Sequence, residues 1–296
     1  MVMGKDVYLA ASLGVLIQAV SGWWDVFSHR IEFVEEDPLF NPAHIGLFAG
    51  TLIIMVAVLG RPTREKAPGL KALKILSATQ MATIILNEII HRVKPIEQVA
   101  DFPVHSLFTI SMLSVAIITF LTSCINYPSE KWGGRLTSIV FSGAALWMIS
   151  SGSVLYIFHR NTIVLTAFLG FIASIIILTA FTSTGITGLG SLIAVTYSSI
   201  IYVILVGYVG LEPYAALAPI LVLIGEVGAR FLNSASFIGA VVFMGLFYGT
   251  LVGIMYYPLV LDFGALTSIY GGAGGLTAGL TILLGDKIVK RLHNSY

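Results

Sequence analysis

Long apolar runs alternate with short polar breaks along the whole chain. Each run is about 20 residues, the length an α-helix needs to cross a hydrocarbon core of about 30 Å. The pattern predicts ten helical spans, over residues 7–29, 41–60, 72–93, 103–124, 137–159, 162–181, 190–210, 213–232, 236–258 and 265–286. The break "TSTGITGLGS" at 182–191 is weak, so eight or nine spans is the competing reading. The alternating segments of a membrane barrel are absent from the sequence. The predicted fold class is therefore all-α, a polytopic transmembrane helical bundle.

Polar residues interrupt this pattern in two places that look alike, "WWDVFSHRIEFVEEDPLFNPAHIGLF" at 23–48 and "LNEIIHRVKPIEQVADFPVHSLF" at 86–108. Asp25 aligns with Asn87, His29-Arg30 with His91-Arg92, and Pro42-x-His44 with Pro103-x-His105, at offsets of 61 or 62 residues. A repeat of this length is a helix pair, and two helices return the chain to its starting side. The first four spans are thus predicted to be two parallel copies related by an axis along the membrane normal.

Helical spacing places the polar side chains. Residues i and i+4 share a face, so Asp25 and His29 project together, with Gln18 and Gly22 continuing that stripe. The matching stripe on the third helix is Gln80, Thr83, Asn87 and His91. Lipid offers no hydrogen bonds, so such stripes face protein or a cavity. Asn41 before Pro42 predicts a capped helix start with His44 in the first turn. Each hairpin then gathers one oxygen donor and two imidazoles at one membrane boundary, where the positive end of a helix dipole favours neutral His44 and His105. Glu88 lies about 100° round the helix from Asn87 and is expected behind the ligands.

Composition agrees with a membrane setting: 57% of the 296 residues are hydrophobic and 10% charged, against about 25% charged in a soluble domain, and mean hydropathy is +0.93. Net charge of +1 carries no message about partners, and with no soluble domain and no basic patch beyond short loops no nucleic-acid partner is expected. Charge asymmetry sets the predicted orientation. The 61–74 loop carries Arg61, Arg64, Lys66, Lys71 and Lys74, while the preceding one carries Glu32, Glu35, Glu36 and Asp37. Basic loops stay cytoplasmic, which puts both termini inside and the histidine-bearing loops outside, in a plasma-type membrane. The first span ends in Asp25 and His29, so no cleavable signal peptide is expected. Cys124 alone excludes an intrachain disulfide or a cysteine cluster and is expected to be a buried small apolar residue.

Two imidazoles with one carboxylate or amide oxygen suit copper, zinc or iron. Asp25/His29/His44 is the more charged set, and Asn87/His91/His105 the weaker. The same histidines could instead contact haem b or a quinone, or make structural polar contacts. His159-Arg160 ends the fifth span on the same predicted side, as an interfacial anchor or a support beside the metal sites. Further along, Glu226 and Arg230 are spaced as an i, i+4 ion pair, with a proton path as the alternative, and "YGGAGGLTAG" at 270–279 is expected to pack tightly against a neighbouring helix. Tyr8 is read as an aromatic belt residue at one end of the first helix, with Trp23, Trp24 and Phe27 at the other.

Over residues 20–110 the chain resembles the C subunit of copper membrane monooxygenases, the particulate methane and ammonia monooxygenase family. One signature, Asp-x-x-x-His followed by Asp-x-x-Phe-x-Pro-x-His, is met by Asp25, His29, Asp37, Phe40, Pro42 and His44. The other, Asn-Glu-x-x-His followed by Pro-x-His, is met by Asn87, Glu88, His91, Pro103 and His105. The resemblance implies two neighbouring copper sites near the extracytoplasmic face, in a subunit of a hetero-oligomeric membrane complex. Glu88, Asp37 and His159 would support the ligands. Residues 1–125 would then form the metal-site unit and 126–296 additional helices. The competing functions are a haem- or quinone-contacting respiratory anchor and a structural or transport subunit, for which Pro219 and Glu226 are the best candidates.

Overall fold

In the computed structural model the described residues are 7–31, 41–60, 69–93, 103–125, 132–158, 161–206, 214–233, 237–255 and 266–293. They form ten α-helices and no strand: α1 (Val7–Ile31), α2 (Pro42–Leu59), α3 (Leu70–Val93), α4 (Pro103–Ile125), α5 (Trp132–Phe158), α6 (Thr162–Thr184), α7 (Leu189–Val206), α8 (Tyr214–Asn233), α9 (Phe237–Met255) and α10 (Leu266–His293). Seven of them, α1 to α6 and α10, are long and apolar enough over their described residues to cross a membrane. The weak break at 182–191 is real. Gly185 ends α6 in the left-handed region at φ 66°, its amide donating to the Phe181 carbonyl, and Gly188 follows at φ 95°.

Large apolar side chains remain exposed along single helix faces. On α2 they are Ile45, Leu52, Val56 and Leu59, and on α8 Ile220, Leu223, Ile224, Val227 and Phe231. Spacings of three, four and seven residues make each set one stripe. Such stripes fit lipid as their solvent, and the architecture is that of a helical membrane bundle.

The chain divides into two compact units. The first comprises residues 1–149 with 204–209, and the second 150–203 with 210–296. The division falls inside α5.

In the first unit α1 and α2 form an antiparallel pair, and α2 packs on α3, α3 on α4 and α1 on α4. Glycine sets how close α1 and α2 come: a Cβ on Gly14 would stand 2.7 Å from the Gly50 carbonyl oxygen. Much of the remaining helix adhesion is polar. Ser138 of α5 donates to the Tyr8 carbonyl at 3.1 Å and shares a 2.7 Å hydrogen bond with Ser123 of α4. Arg135 donates to the Ser123 and Cys124 carbonyl oxygens, groups at a helix end that have no intrahelical partner. Cys124 is buried. The Trp23 indole N–H donates to the Met148 carbonyl at 2.7 Å. Trp23 and Tyr8 are both buried, so they are not the belt residues expected from their places near the ends of α1. Trp24 is exposed as that reading requires, and the Phe27 side chain lies outside the described residues.

In the second unit, packing is mostly backbone against backbone. Gly271 and Gly275 of α10 meet Gly249 and Gly245 of α9, while Gly271 and Gly274 meet Gly170 and Ala167 of α6. Each of these contacts puts a carbonyl oxygen where a Cβ would have to go, so only glycine allows the approach. The tight packing expected of residues 270–279 is therefore present, against two neighbours.

Candidate metal centre

The start of α2 is built as its sequence requires. The Asn41 side chain accepts the Ala43 amide at 3.0 Å, and Pro42 takes the first helical position, where no amide is needed. His44 is thereby held in the first turn, facing inward and 6% exposed. Opposite it, Asp25 is near the end of α1, two turns beyond Gln18.

The polar stripes of α1 and α3 turn toward each other. Gln80 donates to Gln18 Oε1 at 3.2 Å, and Gln18 donates to Thr51 Oγ1 at 2.6 Å. Thr51 donates in turn to the Leu47 carbonyl at 2.8 Å. Gln18, Thr51 and Gln80 are fully buried and Thr83 nearly so, as polar side chains on membrane helices must be. Gln18 and Gln80 stand 62 positions apart, the offset that also separates Asp25 from Asn87 and His29 from His91.

About 10 Å along the helices from this layer the ionisable side chains gather. His44 Nε2 lies 3.0 Å from Asp25 Oδ1, and His44 Nδ1 lies 3.1 Å from Glu88 Oε2. His105 Nδ1 lies 3.3 Å from Asn87 Oδ1. The helix ends thus bring Asp25, His44, Asn87, Glu88 and His105 together, five of the residues singled out from sequence. His29 and His91 sit on helical backbone one turn beyond Asp25 and Asn87, but their side chains lie outside the described residues. Asp37 and His159 lie outside them altogether.

The two ring nitrogens of an imidazole point away from one another, so Asp25 and Glu88 flank His44 on opposite edges. They cannot share one ion with it. Among the described residues, no three His, Cys, Asp or Glu side chains converge on a single point. The pair Asp25 and His44 does suit an ion: atoms 3.0 Å apart can be neighbouring ligands at about 2.0–2.2 Å each. Glu88 is then the carboxylate nearest the other ring nitrogen, the place an outer carboxylate takes in many histidine metal sites, in contact here without hydrogen-bond geometry. That Glu88 belongs with His44, across the two halves, could not be read from its position on α3 alone.

The other predicted charge cluster is arranged differently from its sequence reading. Glu226, fully buried, accepts the amides of Gly188 at 3.0 Å, Gly190 at 2.8 Å and Ser191 at 3.2 Å. It caps the start of α7. Arg230 instead donates to Thr187 Oγ1 at 3.2 Å, so the expected i, i+4 ion pair is not formed. The reason is geometric, because the unpaired amides of a helix start take both carboxylate oxygens. Ser191 Oγ also donates to the Pro219 carbonyl at 2.8 Å, which ties the start of α7 to α8.

No protein-family model, curated protein or solved structure matches the chain.

Proposed function

We propose that this chain is a metal-binding subunit of a membrane complex that acts in oxidation or electron transfer, with copper as the ion. The observation that carries the reading is His44 in contact with Asp25 through Nε2 and Glu88 through Nδ1, in a buried first turn at the end of an apolar helix bundle. A buried imidazole with carboxylates beside both ring nitrogens is in surroundings that favour a cation at one of them.

Asp25 and His44, joined by His29 one turn along α1, hold the ion. Asn87, His91 and His105 form a second set with one less negative charge and hence weaker retention of a divalent cation. The Gln18–Gln80 hydrogen bond at the repeat offset supports the view of α1–α2 and α3–α4 as two copies of one unit. The charge bias of the loops in the sequence supports an extracytoplasmic position for this end of the helices. When bound, the ion supplies one-electron chemistry at that boundary. Asp25 offsets its charge, Glu88 adds a second carboxylate beside the His44 ring, and the apolar helices restrict water to the open end.

Metal analysis of the purified chain, beside His29→Ala and His91→Ala, tests the reading. Copper at one equivalent or more is expected in the wild type, with a large loss in His29→Ala and a smaller one in His91→Ala. Protein that binds no copper when offered it, or whose copper content ignores both substitutions, ends the proposal.

A further inference from the structure

We infer that a single buried water molecule, donating to Gln80 Oε1 of α3 and to Ser111 Oγ of α4, completes the polar layer of the first unit and joins α4 to α1, α2 and α3. The site is independent of any ion. It follows from the direction of the hydrogen bonds in that layer. The Thr51 hydroxyl has one proton and gives it to the Leu47 carbonyl at 2.8 Å, so toward Gln18 it can only accept. Gln18 must therefore present its amide nitrogen to Thr51, at 2.6 Å, which turns Gln18 Oε1 toward Gln80. Gln80 must in turn present its own nitrogen to Gln18, at 3.2 Å. Both amides are thus oriented from the Leu47 carbonyl outward, and Gln80 Oε1 is left at the end of the chain.

Gln80 is fully buried, and its Oε1 has no hydrogen-bond partner among the described residues. Lipid cannot supply a donor, and buried polar groups are nearly always satisfied, by protein or by ordered water. The partner is therefore a donor small enough to be enclosed, which is water. The packing of α3 on α4 indicates where its second contact lies. Asn87 is beside His105 at one end of this antiparallel pair, and Gly69 is beside Ile118 and Thr122 at the other. Gln80 is seven residues in from Asn87 and Ser111 six in from His105, rises of about 10 Å and about 9 Å, so the two lie at one level. Ser111 also shares a helix face with Ile118 and Thr122, which follow it by seven and eleven residues. It is buried, and its hydroxyl donates to the Phe108 carbonyl at 2.7 Å, which leaves its lone pairs to accept. A water between Gln80 and Ser111 gives one proton to each, and two polar partners are the least a buried water needs.

Side-chain ¹⁵N labelling of glutamine in the full-length chain in detergent tests this, since the sequence has three, Gln18, Gln80 and Gln98. Gln18→Leu and Gln98→Leu each remove one pair of NH₂ signals and so identify those of Gln80. Cross-relaxation with a long-lived bound water is then read at the Gln80 NH₂ group, at a pH where its protons exchange slowly. It is expected in the wild type and in Ser111→Thr, which keeps the hydroxyl. It is expected to be largely lost in Ser111→Ala, which removes one of the two partners. Ser111→Cys, whose thiol is a weak acceptor, gives the same reading if Ser111→Ala does not fold. Folded wild-type protein in which Gln80 has no water contact overturns the inference, because its oxygen then bonds a protein group directly. A contact that persists undiminished without the Ser111 hydroxyl overturns it too, because the water then rests on other partners.

Discussion

The two compact units hold their helices together by opposite means. In the first, buried side chains carry much of the adhesion: Gln18, Thr51 and Gln80 bridge α1, α2 and α3, and Trp23, Ser138 and Arg135 tie α5 to α1 and α4. In the second, glycines bring α6, α9 and α10 into backbone contact, and a single carboxylate secures the start of α7. The difference shows how a bundle can be stable where lipid provides no hydrophobic drive between helices. Either polar groups satisfy one another across the interface, or side chains are removed so that backbones can touch. The first solution leaves ionisable groups that can do chemistry. The second leaves none at the glycine contacts of α6, α9 and α10 themselves.

The contrast breaks most sharply at Gly275. Replacing it with Leu drives a side chain into the Gly245 carbonyl, and backbone cannot yield as a flexible side chain can. A loss of about 3 kcal/mol or more is expected, read as failure to recover folded protein from detergent extracts. Glu226→Ala is next, since it strips the acceptor from three amides. Buried unsatisfied groups cost about 1–3 kcal/mol each, and about 3 kcal/mol in total is expected from denaturant unfolding. Glu226→Gln, which keeps one acceptor oxygen, should lose roughly half as much. Recovery of the full stability of wild type in Glu226→Ala would show that the cap is dispensable.

Polar bridges in the first unit should each matter less. Gln18→Leu removes two interhelical hydrogen bonds, and bonds of this kind in membrane proteins average about 0.6 kcal/mol, so a loss of about 1 kcal/mol is expected. A double-mutant cycle of Gln18→Leu with Gln80→Leu should give a coupling of about 0.6 kcal/mol, and zero coupling would remove the bridge from the account. Smallest is Gly285→Ala on α10. A Cβ there meets nothing within 4 Å, so the helix gains up to about 1 kcal/mol from propensity. A gain at Gly285 beside a collapse at Gly275, on one helix, isolates packing as the cause.

Much of this was legible in the sequence, and the failures share a cause. All ten helices of the described residues were expected from hydropathy, because the length of an apolar run is a local property, although seven of them rather than ten are long and apolar enough over those residues to cross a membrane. The cap at Asn41-Pro42, the inward turn of Gln18 and Gln80 and the close packing of residues 270–279 followed from chemistry confined to one turn or one face. What escaped was partner choice. Glu226 has Arg230 one turn away, yet amides 35 to 38 positions back in sequence take its oxygens. Glu88 seemed to belong with the second set of ligands and instead touches His44 of the first. Trp23 looked like an interfacial residue from its place on α1, but its N–H finds a carbonyl 125 positions away. Periodicity says which face a side chain is on. It does not say which helix arrives there.

The carbonyl of Gly271 carries a consequence for biogenesis. It is touched from one side by Gly170 of α6 and from the other by Gly249 of α9, helices that α7 and α8 separate in the chain. The joint cannot exist before α10 has been synthesised, because the piece in its middle belongs to α10. Until then α6 and α9 present bare backbone grooves with no partner to fill them. A ribosome stalled between α9 and α10 should therefore yield a nascent chain whose second unit is protease-sensitive, and release of α10 should protect it in one step.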